Sequence, residues 1–240
     1  HWRRMMPVCT GTLYWQLDDC WPVTSWSSID YYGRWKALQY FARRFYEPTH
    51  VSAVERSTEN GGADIVLTHD SFDELVLAVN WKLLTYNGDE IASGQRQCRV
   101  KEPVSGIICN IPFEMYLVEP SLKSAKNPNT RQNSYLSMTV LDAKGNCLSR
   151  NVCHFADFKD IDLPKPDLEL KVRKNRDGAE ITVKTDVFAK WVWLEAEGSD
   201  GTGKFSDNYF DMNPGESRVI TYKGDNGSGF KVKSLFDTYQ

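Results

Sequence analysis

The stretch "TLYWQLDDCWPVTSW", residues 12–26, sets Trp15, Trp21 and Trp26 around two adjacent carboxylates, Asp18 and Asp19. Indole faces beside carboxylates are sugar chemistry: a pyranose offers apolar C–H faces that stack on an indole and hydroxyl edges that a carboxylate accepts from. Two carboxylates also raise acid/base hydrolysis, because retaining glycosidases place a pair about 5 Å apart across the scissile bond. Sequence neighbours at a strand end point to opposite sides, so Asp18 and Asp19 do not form such a pair alone. One of them is better suited to fixing the loop by accepting backbone N–H groups. Any single tryptophan reads as a core residue; the cluster, with Trp21 stiffened by Pro22, is what points to a binding surface.

Other chemistry is thinly represented. Cys147, Cys153 and His154 are the closest group of soft ligands, but their spacing fits no zinc pattern, and adjacent strand positions separate Cys153 from His154. The loops "GSDGTGKFSDN" (198–208) and "GDNGSG" (224–229) contain calcium-type oxygens yet read as turns between strands. The four histidines are far apart, no G-x-S-x-G surrounds a serine, and no glycine loop opens a helix as a phosphate cradle would. Neither a metal nor a cofactor is expected, and no complete catalytic set can be assembled.

The elements that must position the tryptophans are unevenly distributed. Five of the eight tryptophans fall within the first 35 residues, which places a boundary near Pro48. "GTLYWQL" (11–17) has the continuous apolar character of a strand buried on both faces, as in a parallel sheet. A loop follows, and "RWKALQYFARRFYEP" places Trp35, Leu38, Ala42 and Phe45 at helical spacing, with Arg43 and Arg44 near the C-terminal end. A single strand–loop–helix unit cannot bury both apolar faces and requires neighbours. In barrels of such units the loop after each strand lies on the catalytic face, so residues 21–32 would border a pocket.

From Val51 the period changes to two. "ADIVLTH", "ELVLAVNWKLLTY", "EIASGQRQCRV", "SGIICNI" and "SYLSMTVLDAKGNCLSRNVCHF" predict short strands separated by turns at 59–62, 87–89 and 142–145. After "DIDLPKPDLE", a linker, a second series runs through "LELKVRK", "AEITVKT", "AKWVWLEAE", "DNYFDM", "SRVITYK" and "FKVKSLFD", with turns at 175–178 and 213–216. Both series suit immunoglobulin-like sandwiches. Trp191 and Trp193, two apart, share a strand face and are expected between the sheets.

The 240 residues carry a net charge of −3, and no Lys/Arg stripe interleaves with aromatics, so nucleic acid is not an expected partner. No apolar run reaches the length of a membrane span. The six cysteines read mostly as small buried side chains, with room for one disulfide. His1 is expected to be an internal position of a longer chain, and the compartment is not legible.

"GTLYWQLDDCWPVTSWSSIDYYGRWKALQYFARRFYEP" closely resembles the end of the catalytic (β/α)8 barrel of glycoside hydrolase family 2 β-mannosidases: eighth strand, loop and eighth helix. "FSDNYFDMNPGE" (205–216) resembles their last immunoglobulin-like domain. The resemblance implies a mainly β chain. Residues 1–50 would end the barrel, 51–162 form one immunoglobulin-like sandwich and 163–240 a second. It implies a retaining exo-β-mannosidase acting on terminal β-linked mannose, with the acid/base and nucleophile glutamates upstream of this chain. Trp21 is then expected against the mannose ring, Trp15 under the pocket floor and Asp19 beside it. The family has Asn at the position of Asp18, so this chain adds a carboxylate near the catalytic pair. The partners implied are a β-mannoside oligosaccharide and the rest of the barrel. The related exo-β-glucosaminidases, a non-catalytic carbohydrate-binding or spacer module, and an adhesive immunoglobulin-like protein are the alternatives.

Overall fold

The computed structural model describes residues 1–56, 61–118 and 129–238, and these form two compact units. The first combines residues 1–12 with 44–162; the second combines 13–43 with the chain from Leu163 onward.

In the first unit, β1 (Thr49–Glu55), β2 (Ala63–His69) and β5 (Val104–Ile111) make one sheet in the order β1-β2-β5. β3 (Leu75–Thr85), β4 (Glu90–Val100), β6 (Ser134–Asp142) and β7 (Cys147–His154) make the other, in the order β4-β3-β6-β7. Every pairing is antiparallel. The period of two turns Leu77, Val79 and Leu83 of β3, with Leu136, Met138 and Val140 of β6, onto Ile65 and Leu67 of β2, and all are buried. Gly94 of β4 is opposite Trp81 of β3, and a Cβ at Gly94 would sit 2.8 Å from the indole, so only glycine fits there. The turn expected at 142–145 closes with Gly145 N–H donating to the Asp142 carbonyl at 3.0 Å. Of the 59–62 turn, Glu59 and Asn60 lie outside the described residues. β1 was not legible as a strand in the sequence, because His50 and Ser52 dilute its apolar alternation.

In the second unit, β8 (Leu168–Asn175), β9 (Gly178–Thr185), β11 (Lys204–Phe205) and β13 (Ser217–Lys223) order as β11-β13-β9-β8. They face β12-β10-β14, built from β10 (Ala189–Glu197), β12 (Phe210–Met212) and β14 (Gly229–Lys233). Ile181, Val183, Val192, Leu194, Met212 and Ile220 fill the space between. Helix α1 (Ala37–Phe45) adds the buried Tyr40 to this core, and burial pushes the Tyr40 phenol up to about 12. Gly178 holds φ +152 where a side chain would collide with the Tyr222 carbonyl, which is why the 175–178 turn ends in glycine.

Three expectations are corrected. Gly11–Leu17 is not a strand: Leu13 is 96% exposed, and only the next residue, Asp18, makes an isolated bridge, to Ile29. A strand exists by pairing, and residues 11–17 have no partner strand among the described residues. Trp191 and Trp193 are half-buried rather than enclosed between the sheets. A register shift between Ala189 and Val192, with φ +48 at Trp191, gives the inward positions to Val192 and Leu194. Trp193 instead stacks on Tyr209 at 6.2 Å between ring centroids, and Trp191 meets Phe41 edge to face. All six cysteines are free and none is fully buried, with Cys20 and Cys147 exposed. Among the described residues, no helix is long and apolar enough to cross a membrane.

Candidate functional site

The aromatic segment is built on a short stem. Three backbone stretches lie side by side: Ile29 N–H donates to the Leu17 carbonyl at 2.9 Å, Asp19 N–H to Ile29 at 3.1 Å and Lys36 N–H to Ser28 at 2.9 Å. Ser28 is fully buried, and its hydroxyl joins Tyr14 Oη at 2.9 Å and Gln39 Oε1 at 2.7 Å. Residues 20–27 therefore form a loop closed at its base by main-chain and side-chain bonds.

Asp19 is buried at that base. The Ser25 hydroxyl donates to its Oδ1, and Lys36 Nζ donates to Oδ2 at 2.9 Å while also reaching Ser27 Oγ at 2.7 Å. The Ser25 hydroxyl foremost, and then the Lys36 ammonium, hold the Asp19 carboxyl below the usual carboxylate range. Asp19 thus fixes the loop, but through side chains. Accepting backbone N–H groups falls to Asp30, whose Oδ1 takes Tyr32 N–H and Arg34 N–H, both at 2.9 Å. An aspartate opening a turn that closes on Gly33 was a readable signal for this. Lys36, seventeen positions beyond Asp19, left none.

Asp18 is exposed where Asp19 is buried, so the two carboxylates diverge. Trp15, Trp21 and Trp26 are 73%, 63% and 65% exposed, and the Trp15–Gln16 peptide is cis. The structure brings Asp19, Ser25, Ser27 and Lys36 together and leaves the indoles open to solvent. Chemically, this segment can offer apolar faces to a ring. Its one buried carboxyl, Asp19, is held on the ionised side, and no glutamate lies between Leu13 and Arg43.

Elsewhere the groups considered for metal are spent on local bonds. His154 Nδ1 meets Tyr86 Oη at 2.7 Å, Cys147 Sγ donates to the Ser149 carbonyl, and burial pushes the Cys153 thiol up to about 11. Asp200 accepts from Thr202 and Asp225 from Gly227, within their own turns. Among the described residues no three His, Cys, Asp or Glu side chains converge.

Residues 61–160 match the model of a mannosidase Ig/CBM-like domain, and residues 163–238 match that of an Ig-fold domain of mannosidases. The chain is 31% identical to a β-mannosidase A of Aspergillus terreus over 88% of its length, and 30% identical to a β-mannosidase of Capra hircus over 95%. It spans about a quarter of these relatives, 23% and 26% of their lengths. Among solved structures, a β-D-mannosidase from Dictyoglomus thermophilum superposes with a TM-score of 0.77 at 21% identity, covering 98% of this chain and 27% of that one. An exo-chitosanase from Amycolatopsis orientalis superposes with a TM-score of 0.67 at 18% identity, covering 98% of this chain and 32% of that one. At these identities the structural likenesses speak to the fold.

Proposed function

We propose that this chain, which belongs to the C-terminal portion of the glycoside hydrolase family 2 β-mannosidases, completes the catalytic barrel of a retaining exo-β-mannosidase, with residues 1–50 as its last strand, loop and helix. The observation that carries the reading is the exposure of Leu13, Trp15 and Leu17 outside any strand, followed by outward indoles on a locked polar stem. Such exposure is costly on an isolated surface and is accounted for by neighbouring strands in a longer protein. In this reading Trp21 packs its indole against the apolar face of a terminal β-mannose and Trp15 supports the pocket floor. Asp19, tied by Ser25 and Lys36, holds the Trp21 loop in place. The two carboxyl groups of a retaining mechanism come from glutamates outside this chain, one as nucleophile and one as acid then base. The 240 residues alone are therefore inactive. Assaying the chain and its longer parent on an aryl β-mannoside and an aryl β-glucosaminide separates the possibilities. Mannoside turnover by the parent alone is expected. Turnover by the isolated chain, or a parent preferring the glucosaminide, overturns the reading, and the latter outcome favours an exo-β-glucosaminidase.

A further inference from the structure

Lys36 closes the aromatic loop through Asp19 and Ser27, and its neighbour Trp35 turns the other way. The Trp35 backbone pairs with Ile29, which bonds the Leu17 carbonyl and the Asp19 N–H of the loop base. Its indole packs against the core of the second sandwich. There Tyr40 meets it edge to face at 5.3 Å, and Lys204 Nζ of β11 stands over the ring at 5.4 Å. One dipeptide therefore joins the lock on the loop to a sandwich far along the chain.

Other contacts within the second unit converge on the same stem. Arg43 Nη1 of α1 donates to the Ser206 carbonyl at 2.7 Å. Ser206 in turn exchanges two bonds with Thr221 of β13, N–H to carbonyl at 2.7 Å and Oγ from N–H at 3.0 Å. Gly201 lies against Arg34, where a Cβ would come within 2.8 Å of Cδ.

The sandwich backbone is itself bent to make these contacts. Among the described residues, the non-glycine positions at positive φ are Trp191 (+48) and Tyr209 (+53), and their rings meet Phe41 and Tyr40 of α1. Asn208 fixes the second of them. It is buried, exchanges bonds with the Leu194 N–H and carbonyl at 2.8 and 3.0 Å, and its Oδ1 also takes the Tyr209 N–H at 3.1 Å. L side chains avoid this backbone region, and it persists where the surroundings over-determine it. Packing one sheet on another does not require an aromatic in that conformation at each of these contacts with α1.

We infer that the second sandwich is the template that positions the aromatic loop, and that Trp35, held by Tyr40 and Lys204, is the positioning residue through which it acts on Trp21. The route runs from Lys204 and Tyr40 to Trp35, along the chain to Lys36, and from its ammonium to Asp19 at the base of residues 20–27. That Trp21 then meets a sugar rests on the proposed mannosidase reading; the positioning does not.

The test pairs amide exchange of the 240-residue chain with steady-state kinetics of the longer parent on an aryl β-mannoside. In Trp35→Ala the amides of Asp19, Ser28 and Ile29, which close the loop, should exchange about tenfold faster or more, while those of β9 and β13 keep their rates. In the parent the same variant should raise KM about tenfold with kcat per active site within about twofold, the pattern of lost binding and not of lost folded enzyme. Trp35→Phe, which keeps a ring beside Lys204, should restore most of both. Lys204→Met, at an exposed side chain, should move both in the direction of Trp35→Ala by about two- to fivefold. If Trp35→Ala does not fold, Lys204→Met carries the comparison. Unchanged exchange at the loop amides, exchange raised equally in β9 and β13, no rescue by Trp35→Phe, or a parent that loses kcat at constant KM overturns the inference. If the parent turns over no mannoside, the barrel reading falls and the exchange result still decides this one.

Discussion

Residues 13–36 and the β3–β6 pair are built in opposite senses. In β3 and β6 the apolar side chains turn inward and are fully buried, Leu77, Val79, Leu136 and Val140 among them. In residues 13–36 the interior is polar, with Asp19, Ser27 and Ser28 buried, and the large apolar side chains Leu13, Trp15, Leu17, Trp21 and Trp26 face out. A sandwich is stabilised by the apolar surface it hides, whereas this segment is held by hydrogen bonds and the ion pairs Lys36–Asp19 and Arg34–Asp30, and leaves much of its apolar surface exposed. That difference separates a unit that hides its apolar side chains from a segment that leaves them open to solvent.

The contrast can be broken most severely from the sandwich side. Leu136→Ala deletes a fully buried side chain and should cost about 2–5 kcal/mol, read by urea denaturation as a lower midpoint with an unchanged slope. Next in size is a pH effect at His50. Burial foremost, then the Arg3 guanidinium, pushes its imidazole down to about 4. Between the unfolded value near 6.5 and that folded value, the unfolded chain binds a proton that the folded chain refuses. Stability should therefore be flat above pH ~6.5 and fall by up to roughly 3 kcal/mol as pH drops to ~4. His50→Gln should flatten that segment of the curve.

On the loop side the effects are local. The Asp19 carboxyl is depressed in the folded state, so its contribution is complete above the unfolded value of about 3.9 and is lost as pH falls through the folded one. Amide exchange across residues 20–27 should accelerate in that acid range, and Lys36→Met should move the onset to higher pH. Smallest of all, Trp21→Ala should change the stability of the isolated chain by no more than about 0.5 kcal/mol, as for an exposed side chain without partners. A loss on the scale of Leu136→Ala would mean that the indole is part of a core.

Much of this was legible because it rests on local pattern. Alternation located β2, β4 and the β6–β7 hairpin, and the Asn–Gly–Asp and Asp–Ala–Lys–Gly turns marked their ends. Helix α1 followed from the spacing of Leu38, Ala42 and Phe45 and stops before Pro48. What failed depended on partners. Gly11–Leu17 has strand composition but no strand beside it, and the bulge at Trp191 reversed a face assignment that simple parity would give. The lock on Asp19 joins residues seventeen apart, a pairing that no periodicity announces.

The most direct measurement is Trp21→Ala in the longer parent protein, assayed on an aryl β-mannoside. The expected result is a fall in kcat/KM of about a hundredfold, the scale of a misplaced substrate, with the melting temperature unchanged. Wild-type kcat/KM in that variant would contradict the placement of this loop in the sugar site.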